Sequence, residues 1–418
     1  MAARRVVVVA VTKRRRKKLR KLPWLAAGVG AFAAGDLRAQ SNLEFRYLFY
    51  QESGGRTAVS NPWLYLNQDF GLKGGQLSLI LGYDSISGAS PTGGYPTADA
   101  TTSASGTTSS NTNFPMAAYN DTRKSGAASY ARKFGAHLPS VDISYSVEND
   151  YLARGAGLTD AWTMADGRGT LHFGAAISRD VVSPVNTDEN LPKSSNAAAL
   201  GFSWIIGERD LLDVSASFTK LSGYLTDPYK VVPVGTPAIN VTSPEIRPDA
   251  RSRYAVVFKY GHHFNDTDGA LKVAYRYYWD DWSIGANTVD LLYDQRVGTD
   301  WIVSPLLRVY TQSNASFFSY LFAAPQAYMS SDYRLSAFYS ILGGLTVSYN
   351  IRRDLVLSVG ATYQSQQGQD RVLPATAPPP ARSPLDEGEG EGNGGSPTTV
   401  SSADMTVVTA TVGLSWRY

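Results

Sequence analysis

The stretch Val408-Thr409-Ala410-Thr411-Val412-Gly413-Leu414-Ser415-Trp416-Arg417-Tyr418 carries the fold in miniature. In an extended strand, successive side chains point to opposite faces. Val408, Ala410, Val412, Leu414, Trp416 and Tyr418 therefore share one face, and Thr409, Thr411, Gly413, Ser415 and Arg417 share the other. One side suits lipid and the other suits water, which is the two-faced pattern of a strand in a transmembrane barrel.

The same alternation recurs upstream. In 141–148 the apolar face is Val141, Ile143, Tyr145 and Val147, opposite Asp142, Ser144, Ser146 and Glu148. In 76–84, Leu77, Leu79, Leu81 and Tyr83 oppose Ser78, Gly82 and Asp84, with Ile80 the exception. Segments 212–219, 254–261, 271–278 and 355–364 follow suit. A soluble sandwich also alternates. Here the apolar face carries aromatics near strand ends (Tyr83, Tyr145, Tyr260, Tyr275, Tyr277, Tyr363), where barrel girdles sit. The opposite face is small and polar, as a wet lumen requires. Outer-membrane lipids are the expected surroundings. The aromatic-ended last strand (Leu414, Trp416, Tyr418) resembles the signal read by the outer-membrane barrel assembly machinery, an expected partner.

Charge is unevenly spread along the 418 residues. Residues 1–39 hold 11 of the 39 Lys/Arg and one of the 36 acids, Asp36, leaving 28 bases against 35 acids in the rest. An acidic remainder is the wrong sign for a nucleic-acid partner. The basic stretch 13–21, the apolar run 22–34 and Leu37-Arg38-Ala39 have the parts of a secretory signal peptide, with cleavage expected after Ala39 and after Ala33 as the alternative. Beyond residue 40 no stretch approaches the roughly 18 apolar residues of a membrane-spanning helix. Cysteine is absent, which excludes disulfides, thiolate metal sites and a lipid anchor on sulfur.

The expectation is an all-β chain: a signal peptide at 1–39, then a single transmembrane antiparallel up-and-down β-barrel at 40–418, located in the cell outer membrane. Strands are expected near 42–51, 56–69, 76–85, 123–134, 140–150, 158–166, 169–180, 197–206, 210–221, 252–264, 270–279, 287–296, 300–312, 332–348, 354–365 and 404–418. That is sixteen, with fourteen as the alternative and 158–166 as the weakest. Sixteen places the short turns near 71–75, 135–139, 207–209, 297–299 and 350–353 on the periplasmic side. The long segments 86–122, 181–196, 222–251, 313–331 and 366–403 then all lie outside, as bacterial barrels require. Within them, 101–113 is rich in Ser, Thr, Gly and Asn, and 375–397 runs from a Pro triplet into alternating Glu and Gly. Neither composition buries enough apolar surface to offset its ordering entropy, so 86–122 and 366–403 are expected to be flexible loops.

Several motifs then resemble one family. They are Tyr83-Asp84-Ser85-Ile86-Ser87-Gly88-Ala89-Ser90-Pro91, Gly223-Tyr224-Leu225-Thr226-Asp227-Pro228-Tyr229-Lys230 and Arg247-Pro248-Asp249-Ala250-Arg251. Further along come Tyr275-Arg276-Tyr277-Tyr278-Trp279-Asp280-Asp281-Trp282, Leu307-Arg308-Val309-Tyr310 and Asp332-Tyr333-Arg334-Leu335. Together they resemble the bacterial outer-membrane family catalogued as domain of unknown function 3570. The resemblance implies a large barrel and no particular activity.

The residues most suggestive of function are charges expected on the inward register near the outer strand ends: Asp84, Glu148, Asp180, Arg251, Arg253, Arg276, Asp280, Arg308 and Arg334. Such a mixed ring suits either a solute or selectivity site or a salt-bridge network that stiffens the mouth. The four histidines, His137, His172, His262 and His263, show no metal spacing, and no nucleophile elbow occurs, so no catalytic group, metal or cofactor is expected. The acidic, glycine-rich run offers calcium no preformed cage. Three functions follow from these features. The first is a channel-like barrel that passes or binds a small solute or exported factor, with 86–122 as a candidate constriction or plug. The second is a closed docking platform, and the third a barrel enzyme. An open lumen favours the first and a lumen blocked by ordered loops the second.

Overall fold

The computed structural model describes residues 41–97, 114–164, 167–185, 187–375 and 399–418. The expected signal peptide and the centres of both low-complexity segments lie outside these residues. The first nine strands are β1 (Asn42–Glu52), β2 (Ala58–Asp69), β3 (Gln76–Pro91), β4 (Met116–Ala131), β5 (Ser140–Val147), β6 (Tyr151–Met164), β7 (Gly169–Val182), β8 (Leu191–Ile205) and β9 (Asp210–Gly223). A short hairpin follows, β10 (Val231–Gly235) with β11 (Asn240–Pro244). The rest are β12 (Ala250–Phe264), β13 (Gly269–Asp280), β14 (Gly285–Val297), β15 (Trp301–Gln312), β16 (Phe338–Arg352), β17 (Leu355–Gly368) and β18 (Met405–Arg417).

Apart from the hairpin, the strands form one closed antiparallel barrel of sixteen. The seam pairs β1 with β18 from Asn42↔Arg417 to Glu52↔Val407. Ser41 and Tyr418 exchange backbone hydrogen bonds of 3.0 and 3.2 Å just beyond it. Closure matters because an unpaired sheet edge in hydrocarbon leaves a row of unsatisfied N–H and C=O groups.

The register puts the expected apolar set outside. Ile143, Tyr145, Leu158, Val412 and Trp416 are exposed, Ile143 by 60%. Ile80 is cross-strand partner to Tyr65 and Ala127 on the luminal face. A soluble protein does not display a continuous apolar belt of this kind. The buried apolar core lies instead at the long-loop end, in one cluster around Phe114, Trp282, Ile284, Phe317, Tyr320 and Leu335 and a second of Val232, Phe322 and Met329.

Expected bounds at the long-loop end need correction: β6 begins at Tyr151 and β8 at Leu191, ahead of the expected 158 and 197. Residues 86–91 and 116–122 are not loop, because β3 and β4 stay paired to Pro91↔Met116, above the level where faces alternate cleanly. Residues 332–337 are not the start of a strand. Asp332 accepts the Arg334 amide at 3.1 Å and starts a 3-10 turn, Tyr333–Leu335, so β16 begins at Phe338.

Replacing Ile143 with Lys puts an ammonium in hydrocarbon and should cost about 2–4 kcal/mol, whereas Ser144→Lys, facing the lumen, should cost under about 1 kcal/mol. Urea unfolding of the barrel in lipid vesicles checks both.

Candidate functional site

Two long loops, 224–249 and 313–337, meet across the long-loop end. Asp227-Pro228-Tyr229-Lys230 forms a turn closed by the Lys230 amide on the Asp227 carbonyl at 3.2 Å, with proline pre-setting the backbone. It aims Lys230 at β3, six strands around the barrel from β9, where Nζ donates to Ser90 Oγ at 2.9 Å and to the Pro91 carbonyl. On the other loop, Asp332 (1% exposed) accepts from Arg334 Nε at 2.8 and 2.9 Å and from Arg247 Nη2 at 2.8 Å. Arg334 also donates to Asp227 at 2.8 Å, and Arg247 to Glu245 at 2.9 Å. Arg56, from the turn between β1 and β2, packs over the Tyr333 ring at 5.4 Å.

These contacts join four points spread around the rim, and they make a cap. Its centre is charge-balanced: Asp227, Glu245 and Asp332 against Lys230, Arg247 and Arg334. Burial lowers the Lys230 ammonium to about 8 despite Asp332 beside it. Burial pushes the Asp332 carboxyl up, but Arg334, Lys230 and Arg247 outweigh it and hold the group well below 3.8. Main-chain pairing ties the loops together as well. Met329 and Ile246 exchange hydrogen bonds of 2.8 and 3.0 Å, and Phe322 donates to Pro233 at 3.0 Å. The segment after β17 joins through Tyr320, whose hydroxyl meets Ser401 and Ser402 at 2.9 and 3.1 Å.

The nine residues singled out in the sequence do not form one ring. Asp84 pairs with Arg123 and Asn61. Glu148 stands with Asp121 and Asp150, carboxylate oxygens within 4.8 Å of one another, and Tyr229 donates to Asp150 at 2.5 Å. Asp180 accepts from Tyr151 and Ser178, and Lys193 donates to the Tyr151 hydroxyl at 3.2 Å. Arg251 forks onto Asp280 at 2.5 and 2.9 Å and lies 4.2 Å over the Trp282 ring. Asp280 also accepts the Trp282 and Ile284 amides, both at 3.0 Å, so this pair pins the tight turn that feeds the apolar core. Arg308 binds Asp290 at 2.6 and 3.0 Å well below the rim, and Arg334 belongs to the cap loop.

Arg253 and Arg276 differ from the rest. Arg253 Nε is buried with no hydrogen-bond partner, and Arg276 packs over Tyr278 at 5.4 Å with no ion pair among the described residues. Below the cap the luminal Arg46 and Lys272 side chains remain 51% and 57% exposed, so the lumen is wet.

Sequence reasoning missed Asp227, Lys230, Glu245, Arg247 and Asp332. All but Glu245 sit inside the quoted family motifs, which was the signal that could have found them. The structure also brings Ser203 Oγ within 3.1 Å of His172 Nε2 on the luminal wall. Asp213 accepts from Ser203 at 2.7 Å, so this carboxylate bonds the hydroxyl, whereas in a hydrolase triad the acid bonds the imidazole.

A closed sixteen-strand barrel with an apolar outside, a polar wet inside and a folded cap is an outer-membrane barrel. The chain belongs to the family described as protein of unknown function (DUF3570), whose profile matches residues 31–377. No curated relative matches the sequence. Among solved structures, a bacterial polysaccharide outer membrane secretin is similar over 92% of this chain and all of its own, at 9% identity and a TM-score of 0.48. CdiB from Acinetobacter baumannii aligns over 91% of this chain and 60% of its own (10% identity, TM-score 0.46). The siderophore receptor PirA from Pseudomonas aeruginosa aligns over 90% and 61% (11% identity, TM-score 0.42). This chain thus spans about three fifths of the latter two.

Asp332→Asn leaves three buried cations facing two carboxylates and should weaken the cap by about 3–5 kcal/mol. Hydrogen exchange in 313–337 should rise at least a hundredfold while β1–β18 pairing stays protected. Because Asp332 titrates below its free value of 3.8, its stabilisation is present above pH 3.8 and lost as pH falls further. Lys230 runs the other way: its lowered value is a standing cost at neutral pH, relieved between about 8 and 10.5. Exchange measured across pH 3–11 reads both slopes.

Proposed function

We propose that this protein works as a closed barrel. The cap seals the outer face, and the wet lumen receives a solute or partner segment from the periplasmic side. The observation that carries this reading is the wall-to-wall cap, ordered, apolar at heart and balanced in charge. A standing diffusion pore of about sixteen strands keeps an aqueous channel open, and nothing in its function calls for stapling the mouth shut with buried ion pairs. Covalent chemistry has no place in this reading.

A second reading rests on Arg253 and Arg276. Arg276, exposed on the wet wall, and Arg253, partly buried beside Asp280, have no ion pair among the described residues. Both favour anions, so a barrel whose cap parts on a signal would conduct anions selectively.

Planar-bilayer recording separates the two. The closed barrel predicts silence from the folded wild type and steady conductance from the double variant Asp332→Asn/Arg334→Gln, with anion selectivity that falls on adding Arg276→Ala. Steady wild-type conductance would sink the closed-barrel reading. Wild-type openings in brief, anion-selective bursts would establish the gated channel instead.

A further inference from the structure

The outward wall carries an arrangement that the lumen and cap do not use. On strands β4 to β9, toward the long-loop end, the outward register holds Lys124, Arg154, Arg179 and Lys220 and no carboxylate. Arg154 and Arg179 are direct cross-strand partners, both exposed. Like charges placed directly opposite repel, and neighbouring strands ordinarily avoid such a pair. Among the described residues, neither Arg154 nor Lys220 has an ion-pair partner. Arg179 reaches Ser178 O at 2.8 Å and Asn196 Oδ1 at 3.3 and 3.4 Å, neither of them charged. Asp281, beyond the end of β13, accepts the Ser252 amide at 2.9 Å, and Ser252 is the cross-strand partner of Lys220.

A groove of about 720 Å³ runs below these cations on the same face. Its floor is Ala175, Ala198 and Ala216, its banks are Leu158, Phe173 and Phe218, and Asp160, bonded to His137 at 2.6 Å, lines its short-turn end. Ala175 and Ala198 are direct partners, and Arg179 lies four residues above Ala175, roughly 13 Å along β7. A second recess of about 490 Å³ above the groove is lined by Arg154, Arg179, Lys193 and Ser194, and by Asp180, whose carboxylate already accepts from Tyr151 and Ser178. Anion-binding donors thus sit directly over a slot floored by small side chains and walled by large apolar ones.

We propose that this wall binds a phosphorylated lipid of the outer leaflet, with its phosphate between Arg154 and Arg179 and an acyl chain along Ala175 and Ala198. The guanidinium forks match phosphate oxygens, and phosphate removes the repulsion between the two arginines. Lys220, above Phe218, is placed to meet a second phosphate on a larger headgroup. The alanine floor lets a chain lie against the backbone, which the bulky side chains around most of the belt prevent. A free phosphate would satisfy the cations and leave the groove unexplained, so the occupant is a lipid.

The test uses the full protein extracted from outer membranes in mild detergent and analysed by native mass spectrometry. It is first stripped of lipid, then offered diphosphorylated lipid A, the same glycolipid dephosphorylated, or inorganic phosphate. Wild type should retain the diphosphorylated lipid at least tenfold better than the dephosphorylated one. Arg154→Gln/Arg179→Gln should lose that preference, Arg154→Lys/Arg179→Lys should keep some of it, and Ala198→Phe should weaken retention by filling the groove. The altered side chains face lipid, and the gel-mobility shift of the folded barrel confirms that each variant folds. Equal retention of both glycolipids would overturn the proposal. So would inorganic phosphate displacing the lipid completely, or a dimer that Ala198→Phe abolishes, which would make the groove an interface between copies.

Discussion

Everything in this structure follows from one constraint: inside hydrocarbon no backbone N–H or C=O can be left without a partner. Sixteen strands meet it by closing β18 onto β1, which leaves no edge. Closure at this size encloses water, and water on one side with lipid on the other turns ordinary burial inside out. The wall therefore shows its large side chains to the outside and has no core of its own. The apolar core is displaced upward into the loops, where Trp282, Phe317, Phe318 and Tyr320 pack as the interior of a small soluble domain does.

The cap draws its shape from charge and its cohesion from that core. A buried ion pair is weak as a source of net stability, because desolvation offsets most of the attraction. It is strong as a selector of geometry, since any arrangement that separates Asp332 from Arg247 and Arg334 strands a buried charge. The Arg251–Asp280 fork has the same role a layer below, holding the turn that carries Trp282. The charges seen in the sequence as a single mouth ring are thus separate contacts: Arg251–Asp280 and Arg334 hold loops, while Asp84–Arg123 and Arg308–Asp290 tie neighbouring strands. Arg253 and Arg276 are the two arginines among them with no ion pair among the described residues.

The barrel wall was legible because each spanning strand writes its two environments into alternate residues. Ile80 breaks the pattern and still keeps register, since a wet lumen tolerates one apolar side chain. The outermost strand residues were not legible. Beyond the membrane, 86–91 and 116–122 bury Ile86, Tyr119 and Asp121 on the inner face and show water the other. The apolar-out, polar-in alternation of a spanning strand therefore disappears while its hydrogen bonds continue. Arg334 was misplaced for a related reason. Asp332-Tyr333-Arg334-Leu335 alternates polar and apolar like a strand, and only the Asp332 carboxylate on the Arg334 amide reveals a turn. The cap as a whole was invisible because Lys230 meets Ser90, and Arg247 meets Asp332, across gaps in the chain that leave no local trace.

The cap also orders events in time. Its pieces come from the turn after β1, the end of β3, the loops before β12 and β16, and the segment before β18. Arg56 reaches Met405 at 3.6 Å, and Ser53 donates to Thr406 at 2.8 Å, across the very seam that joins the first strand to the last. A chain whose ends have not yet met cannot assemble these contacts. The dome is therefore the last part of the molecule to form, finished only when the first strand has met the last.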